Sequence, residues 1–373
     1  MSSLVNKLGF LFLVWYSLVC LAFSLPDEYP ISNLDLDKFT SEKEVFQLLQ
    51  MWKTETKRDY QTLKEEAQGF EIFKANLKII REKNAKRKSL YDYRLGLNKF
   101  SDMSYEEFSK IYLHGMKQYI TEGKKGHVEF NSGSCPNAPS SLDWRQSGTV
   151  TYVKDRGSCG SCWAFSASGA IEGITQIVTQ CLPSLSEQQL VSCDGCSGGC
   201  SGGFHTNGFQ YVIDNGGIAT ERDYPYAAND STCNITLAKK TFATIDGYYW
   251  VTSLSEDSLF CAAVNQPISV ALYAGPEFMT YQGGIYDGAN DCSSMDPCYI
   301  NHCVLIVGYG PWGTGQDYWI VKNSWGTSWG LDGYILSKRN SGNDYGVCNI
   351  NCYGAYPTKN STSTTHLQLD SSM

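Results

Sequence analysis

The spacing of apolar positions changes several times along this chain. After Lys7 an apolar run extends from Leu8 to Phe23 and gives way to polar, acidic sequence at Asp27. A run of that length is short for a membrane-spanning helix but suits a secretory signal peptide, predicted over residues 1–24. Between about 38 and 115 the period becomes helical. Val45, Phe46, Leu48, Leu49 and Trp52 share one helix, and a second, charged helix runs from Glu65 through Phe73 and Ile80 toward Asn84. Gly69 sits inside that second helix, where glycine costs ~1 kcal/mol relative to alanine, so a loosened helix is expected there. A third regime begins near residue 138. One helix is predicted to start at Cys162, and another to follow Ser184-Leu185-Ser186-Glu187-Gln188-Gln189, where Ser184 with Glu187 or Ser186 with Gln189 has capping-box spacing. Short β-branched and aromatic runs then alternate with glycine turns: Ile268 to Leu272, Val304 to Val307, Tyr318 to Val321 and Gly333 to Leu336. Helices first and strands afterwards predict an α+β domain of two lobes, one helical and one antiparallel and barrel-like, with a cleft between them.

Composition narrows the setting. Export agrees with 15 cysteines, read mainly as disulfides of an oxidising compartment. Residues 138–373 carry 10 Lys and Arg against 20 Asp and Glu, a net of −10, and no basic patch, phosphate loop or repeat is present. Nucleic acid and membrane are therefore not expected partners. Sequons begin at Asn229, Asn234 and Asn360 and mark candidate glycosylation sites. Residues 358–373 form a Ser/Thr-rich tail expected to be disordered.

Three short strings carry the chemistry. Cys162 lies in Gly157-Ser158-Cys159-Gly160-Ser161-Cys162-Trp163-Ala164-Phe165-Ser166, between a Gly/Ser turn and the predicted helix. A helix N-terminus beside the sulfur favours the thiolate. His302 heads an apolar strand in Ile300-Asn301-His302-Cys303-Val304, and Asn323 follows another in Lys322-Asn323-Ser324-Trp325-Gly326. A nucleophile, a base that also acts as acid, and a group that orients the imidazole are what thiol-dependent acyl transfer needs. Singly, each residue has a plainer reading. Cys-x-x-Cys also marks a disulfide half-pair, a redox motif or a metal knuckle, and Cys193, Cys196 and Cys200 admit a zinc reading too. A lone strand histidine is usually structural. The joint occurrence and order of the three strings decide for catalysis. Of the other histidines, His114, His127 and His366 fall in flanking segments, and His205 lacks an asparagine string.

These strings resemble those of papain-like cysteine proteases, closest to the plant vacuolar or secreted type. The resemblance implies a papain-like two-lobe fold over 138–357, preceded by a helical inhibitory propeptide over 25–137. Glu65, Phe73, Asn76, Ile80, Asn84 and the Gly96-x-Asn98-x-Phe100-x-Asp102 string match the propeptide. It implies a zymogen that is cut within Asn131-Ser132-Gly133-Ser134-Cys135-Pro136-Asn137 and released in acid. The roles implied are Cys162 as nucleophile, His302 as base and acid, Asn323 as orienter, and Trp325 as a shield for their hydrogen bond. The oxyanion hole would combine the Cys162 backbone N–H with residue 156, where the family has glutamine and this chain has Arg156. Gly202 and Gly203 would align a peptide. Phe204, His205, Ile300, Asn301, Cys303 and Tyr353 would line the pocket for a hydrophobic residue two positions upstream of the cut. Disulfides Cys159–Cys200, Cys193–Cys233 and Cys292–Cys348 follow by position. Setting aside Cys20, Cys162 and these six leaves seven cysteines, an odd number that implies at least one free thiol or an intermolecular bond. No cofactor or metal is implied. Partners would be protein or peptide substrates, the chain's own propeptide and cystatin-like inhibitors, acting on a monomer in the secretory pathway, a vacuole or lysosome-like compartment, or the extracellular space. The alternative reading, prompted by Arg156, is a catalytically impaired relative with a storage, defence or binding role.

Overall fold

A computed structural model describes residues 31, 34–113, 129–130, 134–312 and 315–360. The signal peptide, the first residues of the expected cleavage junction and the chain after Asn360 lie outside them. The protein divides into two compact units, the first ending at Asp59 and the second beginning at Tyr60. In the first, helix α1 (Glu42–Thr56) starts at Ser41, whose hydroxyl accepts from Glu44 N while Glu44 Oε2 accepts from Ser41 N at 2.8 Å. This reciprocal cap satisfies two otherwise orphaned donors. Val45, Leu48, Leu49 and Trp52 form its buried stripe; Phe46 is left 42% exposed, so the stripe is narrower than the sequence suggests.

The second unit opens with helix α2 (Leu63–Asn84), which runs unbroken through Gly69. The expectation of a loosened helix is corrected here. A Cβ at position 69 would stand 2.6 Å from the Tyr60 hydroxyl, so the glycine admits that ring, whose hydroxyl donates to Asp102 Oδ2 at 3.1 Å. Asn76 donates to the carbonyls of Ser101 and Met103, and Asn84 exchanges two hydrogen bonds with the Leu95 backbone. These side chains fasten the next segment, containing strand β1 (Arg94–Leu95), onto α2. Helix α3 (Tyr105–Tyr112) follows from a second capping box at Ser104 and Glu107.

Strands β2 (Glu129–Phe130) and β3 (Leu142–Asp143) precede the long helix α4 (Cys162–Thr179), the spine of the helical lobe. It is joined by α5 (Glu187–Cys193), α6 (His205–Asn215) and the short α7 (Ile235–Ala238). Helix α5 takes the second of its two predicted caps, Ser186 accepting from Gln189 N. The β lobe contains β4 (Gly247–Val251), α8 (Glu256–Ala263), β5 (Ile268–Leu272), α9 (Pro276–Met279), β6 (Tyr281–Gly283), β7 (Ile285–Tyr286), β8 (His302–Trp312), β9 (Gln316–Lys322), β10 (Tyr334–Lys338) and β11 (Tyr353–Thr358). One nine-stranded sheet runs in the order β2-β4-β11-β5-β8-β9-β10-β7, with β3 also on β8. Its pairings are antiparallel except β2–β4 and β7–β10, which are parallel. Strand β1 pairs separately with β6.

The two lobes meet where α4 lies on β8. Gly169 and Gly173 are one turn apart, and a Cβ on either would stand 2.9 Å from Leu305 or 2.8 Å from Pro267, so the helix can approach closely only without those side chains. Ser166 Oγ donates to the Val304 carbonyl at 2.6 Å. Ser166 is one turn from Cys162 and Val304 two residues from His302, so this contact fixes the start of the helix beside the start of the strand.

Five disulfides are described. Cys159–Cys200, Cys193–Cys233 and Cys292–Cys348 are joined by Cys135–Cys261 and Cys298–Cys352. The ordered chain continues three residues into the expected tail, where Lys359 Nζ donates to Thr244 O at 2.9 Å. No helix among the described residues is long and apolar enough to cross a membrane.

Candidate active site

Cys162 is the first residue of α4, and Ser161 makes no side-chain cap, so the helix N-terminus is open toward the sulfur. Burial alone would raise the thiol's pKa. Hydrogen bonds with Cys303 and His302, and the charges of His302 and Arg156, pull it well below its ordinary value. His302 starts β8 and Asn323 follows β9 directly, so the pairing of those strands brings the two together. His302 Nε2 donates to Asn323 Oδ1 at 2.8 Å, leaving Nδ1 without a competing partner among the described residues. Trp325 stacks on the imidazole at 4.7 Å with planes 23° apart and is fully buried. Phe278 packs edge-on against Trp325 at 5.7 Å. The imidazole–amide bond therefore lies in an aromatic, water-poor setting that holds the ring's tautomer.

Arg156 is completely buried. Its backbone N–H donates to Ser324 O at 3.0 Å, next to Asn323. Its guanidinium donates through Nη1 to the Cys159 carbonyl and through Nη2 to the Tyr112 carbonyl, while Nε has no partner. Tyr112 also lays its ring 5.4 Å from the guanidinium carbon. A carbonyl at the end of α3 thus occupies one of the guanidinium donors. Around it, Phe100 and Phe108 pack edge-on against Trp325 at 5.6 and 5.2 Å. Beyond this aromatic wedge, Lys99 pairs with Asp155 at 2.5 Å, Asn98 donates to Met279 O at 2.8 Å, and Tyr93 bonds Glu277.

The expected substrate residues are distributed as follows. Phe204 precedes α6, lies edge-on to Tyr353 at 5.9 Å, and touches the His205 ring at 4.3 Å. His205 Nδ1 meets Cys303 Sγ at 3.6 Å, and burial pushes the imidazole pKa down to about 3, so this histidine is neutral. Burial and the hydrogen bond with Cys162 raise the Cys303 thiol. Ile300 is buried in the same apolar cluster as Phe204 and Cys303. Asn301 is engaged elsewhere: its amide accepts from Ala274 N at 2.8 Å and donates to Ala274 O at 3.3 Å. Gly202 and Gly203 are buried just ahead of Phe204, with Gly202 O accepting from Gly198 N at 2.7 Å. Asn229, Asn234 and Asn360 are exposed, and Asn234 caps α7 through its side-chain oxygen.

Sequence reasoning missed Tyr112 and Tyr226. The Tyr226 hydroxyl donates to Arg156 O at 2.8 Å and lies 2.6 Å from Ser161 Oγ, a link across about 70 residues that no local pattern announces. It also missed a buried cluster behind Asn323, in which Lys154 Nζ reaches Glu187 at 2.7 Å and Glu172 at 3.1 Å, and Lys322 Nζ donates to Thr151 Oγ1 at 2.9 Å.

Residues 138–358 match the papain family cysteine protease domain, and residues 50–108 match the cathepsin propeptide inhibitor domain. The chain belongs to the papain family of cysteine proteases and carries that family's inhibitory propeptide. It is 46% identical over 368 residues to the P34 probable thiol protease of Glycine max, covering 96% of both chains. It is 43% identical over 343 residues to the cysteine protease XCP2 of Arabidopsis thaliana, covering 91% of this chain and 93% of that one. The proform of the ragweed pollen allergen Amb a 11, a cysteine protease, superposes with a TM-score of 0.78 at 34% identity, covering 89% of this chain and 99% of that one.

Proposed function

We propose that this protein is made as a zymogen and, once processed, cuts internal peptide bonds through Cys162. The Cys162 thiolate attacks the peptide carbonyl carbon. The resulting oxyanion is held by the Cys162 backbone N–H and by Arg156, in the place vacated by the Tyr112 carbonyl. Protonated His302 gives its proton to the departing amine, leaving a thioester. His302 then takes a proton from water, which attacks the thioester and frees the acid product and the thiolate. Asn323 orients the imidazole, and Trp325 keeps water from their hydrogen bond. Phe204, His205, Ile300, Cys303 and Tyr353 form an apolar pocket for the residue two positions upstream of the cut, shortened by Tyr353, while Gly202 and Gly203 offer backbone to the peptide. The observation that carries this reading is the His302–Asn323 bond under Trp325 with Cys162 at an open helix N-terminus.

The propeptide reading covers residues 25–137, with the peptidase domain at 138–357. The secretory pathway, ending in a vacuole-like compartment or outside the cell, is the proposed location, supported by the apolar N-terminal run and five disulfides. One observation favours the alternative of a catalytically impaired protein: both Arg156 terminal nitrogens are engaged, one by its own loop at Cys159. Removing an oxyanion donor costs roughly 10²–10³ in turnover, so misplacement there matters.

The test is labelling of the processed protein with an epoxide that alkylates active-site thiols, beside a Cys162→Ala control. Labelling confined to Cys162, with hydrolysis of a Phe-Arg dipeptide reporter, is expected. Labelling without hydrolysis would transfer the conclusion to the impaired reading. Folded, processed protein that neither labels nor hydrolyses would overturn the assignment of Cys162 as nucleophile.

A further inference from the structure

A buried guanidinium is costly unless an anion faces it. Among the described residues no carboxylate faces Arg156, and the anion near it is the Cys162 thiolate, whose pKa its charge lowers. Its two donors end on carbonyl oxygens, Nε bonds nothing, and no carboxylate lies within salt-bridge distance. The adjacent Asp155 does not supply one. It forms a β-bridge with Trp325, so the side chains of residues 155 and 156 leave the backbone on opposite sides. The Asp155 side chain is 45% exposed and is held by Lys99 and by Gly157 N, whereas Arg156 is wholly buried. The position of Arg156 is itself well determined. Ser324 O accepts from its N–H, Tyr226 donates to its carbonyl, and Cys159 O holds Nη1. The remaining terminal nitrogen, Nη2, and one face of the guanidinium are covered by Tyr112, a prosegment residue. Removing the prosegment opens that donor and that face next to the N-terminus of an 18-residue helix, whose first residue is Cys162.

We infer that Arg156 and the open end of α4 form a carboxylate site in the processed protein, so that peptides ending in a free α-carboxylate, the chemical class of the acyl-side product, are bound and retained beside Cys162. This rests on the proposed reading of the cleft and adds to it. A glutamine at position 156 would offer a neutral amide donor to an oxyanion that exists only during the reaction. Arginine adds a permanent charge, and so also favours a ligand that stays anionic after the reaction ends. The carboxylate would have one oxygen where the Tyr112 carbonyl now sits and the other toward the helix N–H groups. The same arrangement that steadies the transition state therefore slows the loss of the product formed from the upstream half of the substrate.

The experiment compares N-acetyl-Phe-Arg as its free acid and as its carboxamide. The full chain carrying Cys162→Ala is folded with its prosegment, trimmed by an added protease, and titrated with each ligand by calorimetry, which requires no turnover. The acid is expected to bind roughly 10- to 100-fold more tightly than the amide, the scale of a charged hydrogen-bonded contact against a neutral one. Arg156→Gln in that background is expected to abolish the preference, and Arg156→Lys to keep part of it. Equal binding of acid and amide in the Cys162→Ala protein overturns the inference without recourse to any change at position 156. So does a preference that survives Arg156→Gln. Reporter hydrolysis by the Cys162-intact protein separates the two claims. If hydrolysis is absent but the acid preference is present, the protease reading fails and the carboxylate site stands; hydrolysis without the preference is the reverse.

Discussion

Lys154 and Arg156 are two buried cations on the same side of one short stretch of backbone, and they are treated in opposite ways. Lys154 is neutralised from within: two carboxylates from α4 and α5 and the Leu185 carbonyl surround its ammonium. The Arg156 guanidinium hydrogen-bonds only carbonyls, and one of these belongs to a segment that must leave before substrate can enter. A cation whose partners all come from the mature fold fixes structure, here the joint between α4, α5 and the loop before Cys162. One whose partner departs is left to act on whatever arrives.

The comparison predicts unequal responses to mutation. Lys154→Met removes the ammonium that Glu172 and Glu187 share and leaves them only the more distant charge of Lys322, and a broken buried pair typically costs about 3–5 kcal/mol. Urea unfolding of the full chain at pH 8 checks this. Arg156→Gln leaves no carboxylate behind and is expected to cost much less; equal losses would erase the contrast. A second effect separates the clusters by pH. Burial and the charge of Glu172 raise Glu187 from 4.5 to about 7, against the pull of Lys154. The fold thus prefers its neutral form, and this contribution to stability is complete below pH 4.5 and is lost as pH rises through about 7. Relative to wild type, Glu187→Gln should therefore gain thermal stability steadily across that window. A stability difference that does not vary between pH 4.5 and 7 would exclude Glu187 as the titrating group. The smallest effect concerns the surface pair that keeps Asp155 occupied. Lys99→Met removes a partly exposed contact with the prosegment, worth about 1 kcal/mol. Self-processing of the full chain should quicken a few-fold in low salt and converge with wild type in high salt, where screening has already removed the pair. An acceleration that persists in high salt would assign the effect to something other than charge.

Much of this architecture could be read in the sequence because its determinants are local. The helix starting at Cys162, the Ser186 cap and the β-branched runs of β5, β8 and β9 depend on neighbours a few residues away. The partnership of His302 with Asn323 came through because each stands at the end of such a run, and the register of β8 on β9 does the rest. What escaped depends on distant contacts. Gly69 looks like a flaw in a helix until Tyr60 is seen lying against it. The Asn301 amide closes onto Ala274, 27 residues upstream, a contact that no local pattern announces. The identity of residue 156 was plain, but nothing in its surroundings in sequence reveals that a tyrosine carbonyl 44 residues upstream covers it.

The disulfide between Cys135 and Cys261 ties the stretch just before the peptidase domain to helix α8. Its place gives the choice of scissile bond a kinetic meaning. A cut upstream of Cys135 frees the prosegment to diffuse away, so the extent of inhibition falls with dilution. A cut between Cys135 and Ala138 severs the peptide but not the molecule, and the prosegment stays leashed at an effective concentration that short tethers set near the millimolar range. Dilution then achieves nothing, and only a reductant completes release. A shift of a few residues in one cleavage thus converts a protein activated by volume into one activated by electrons.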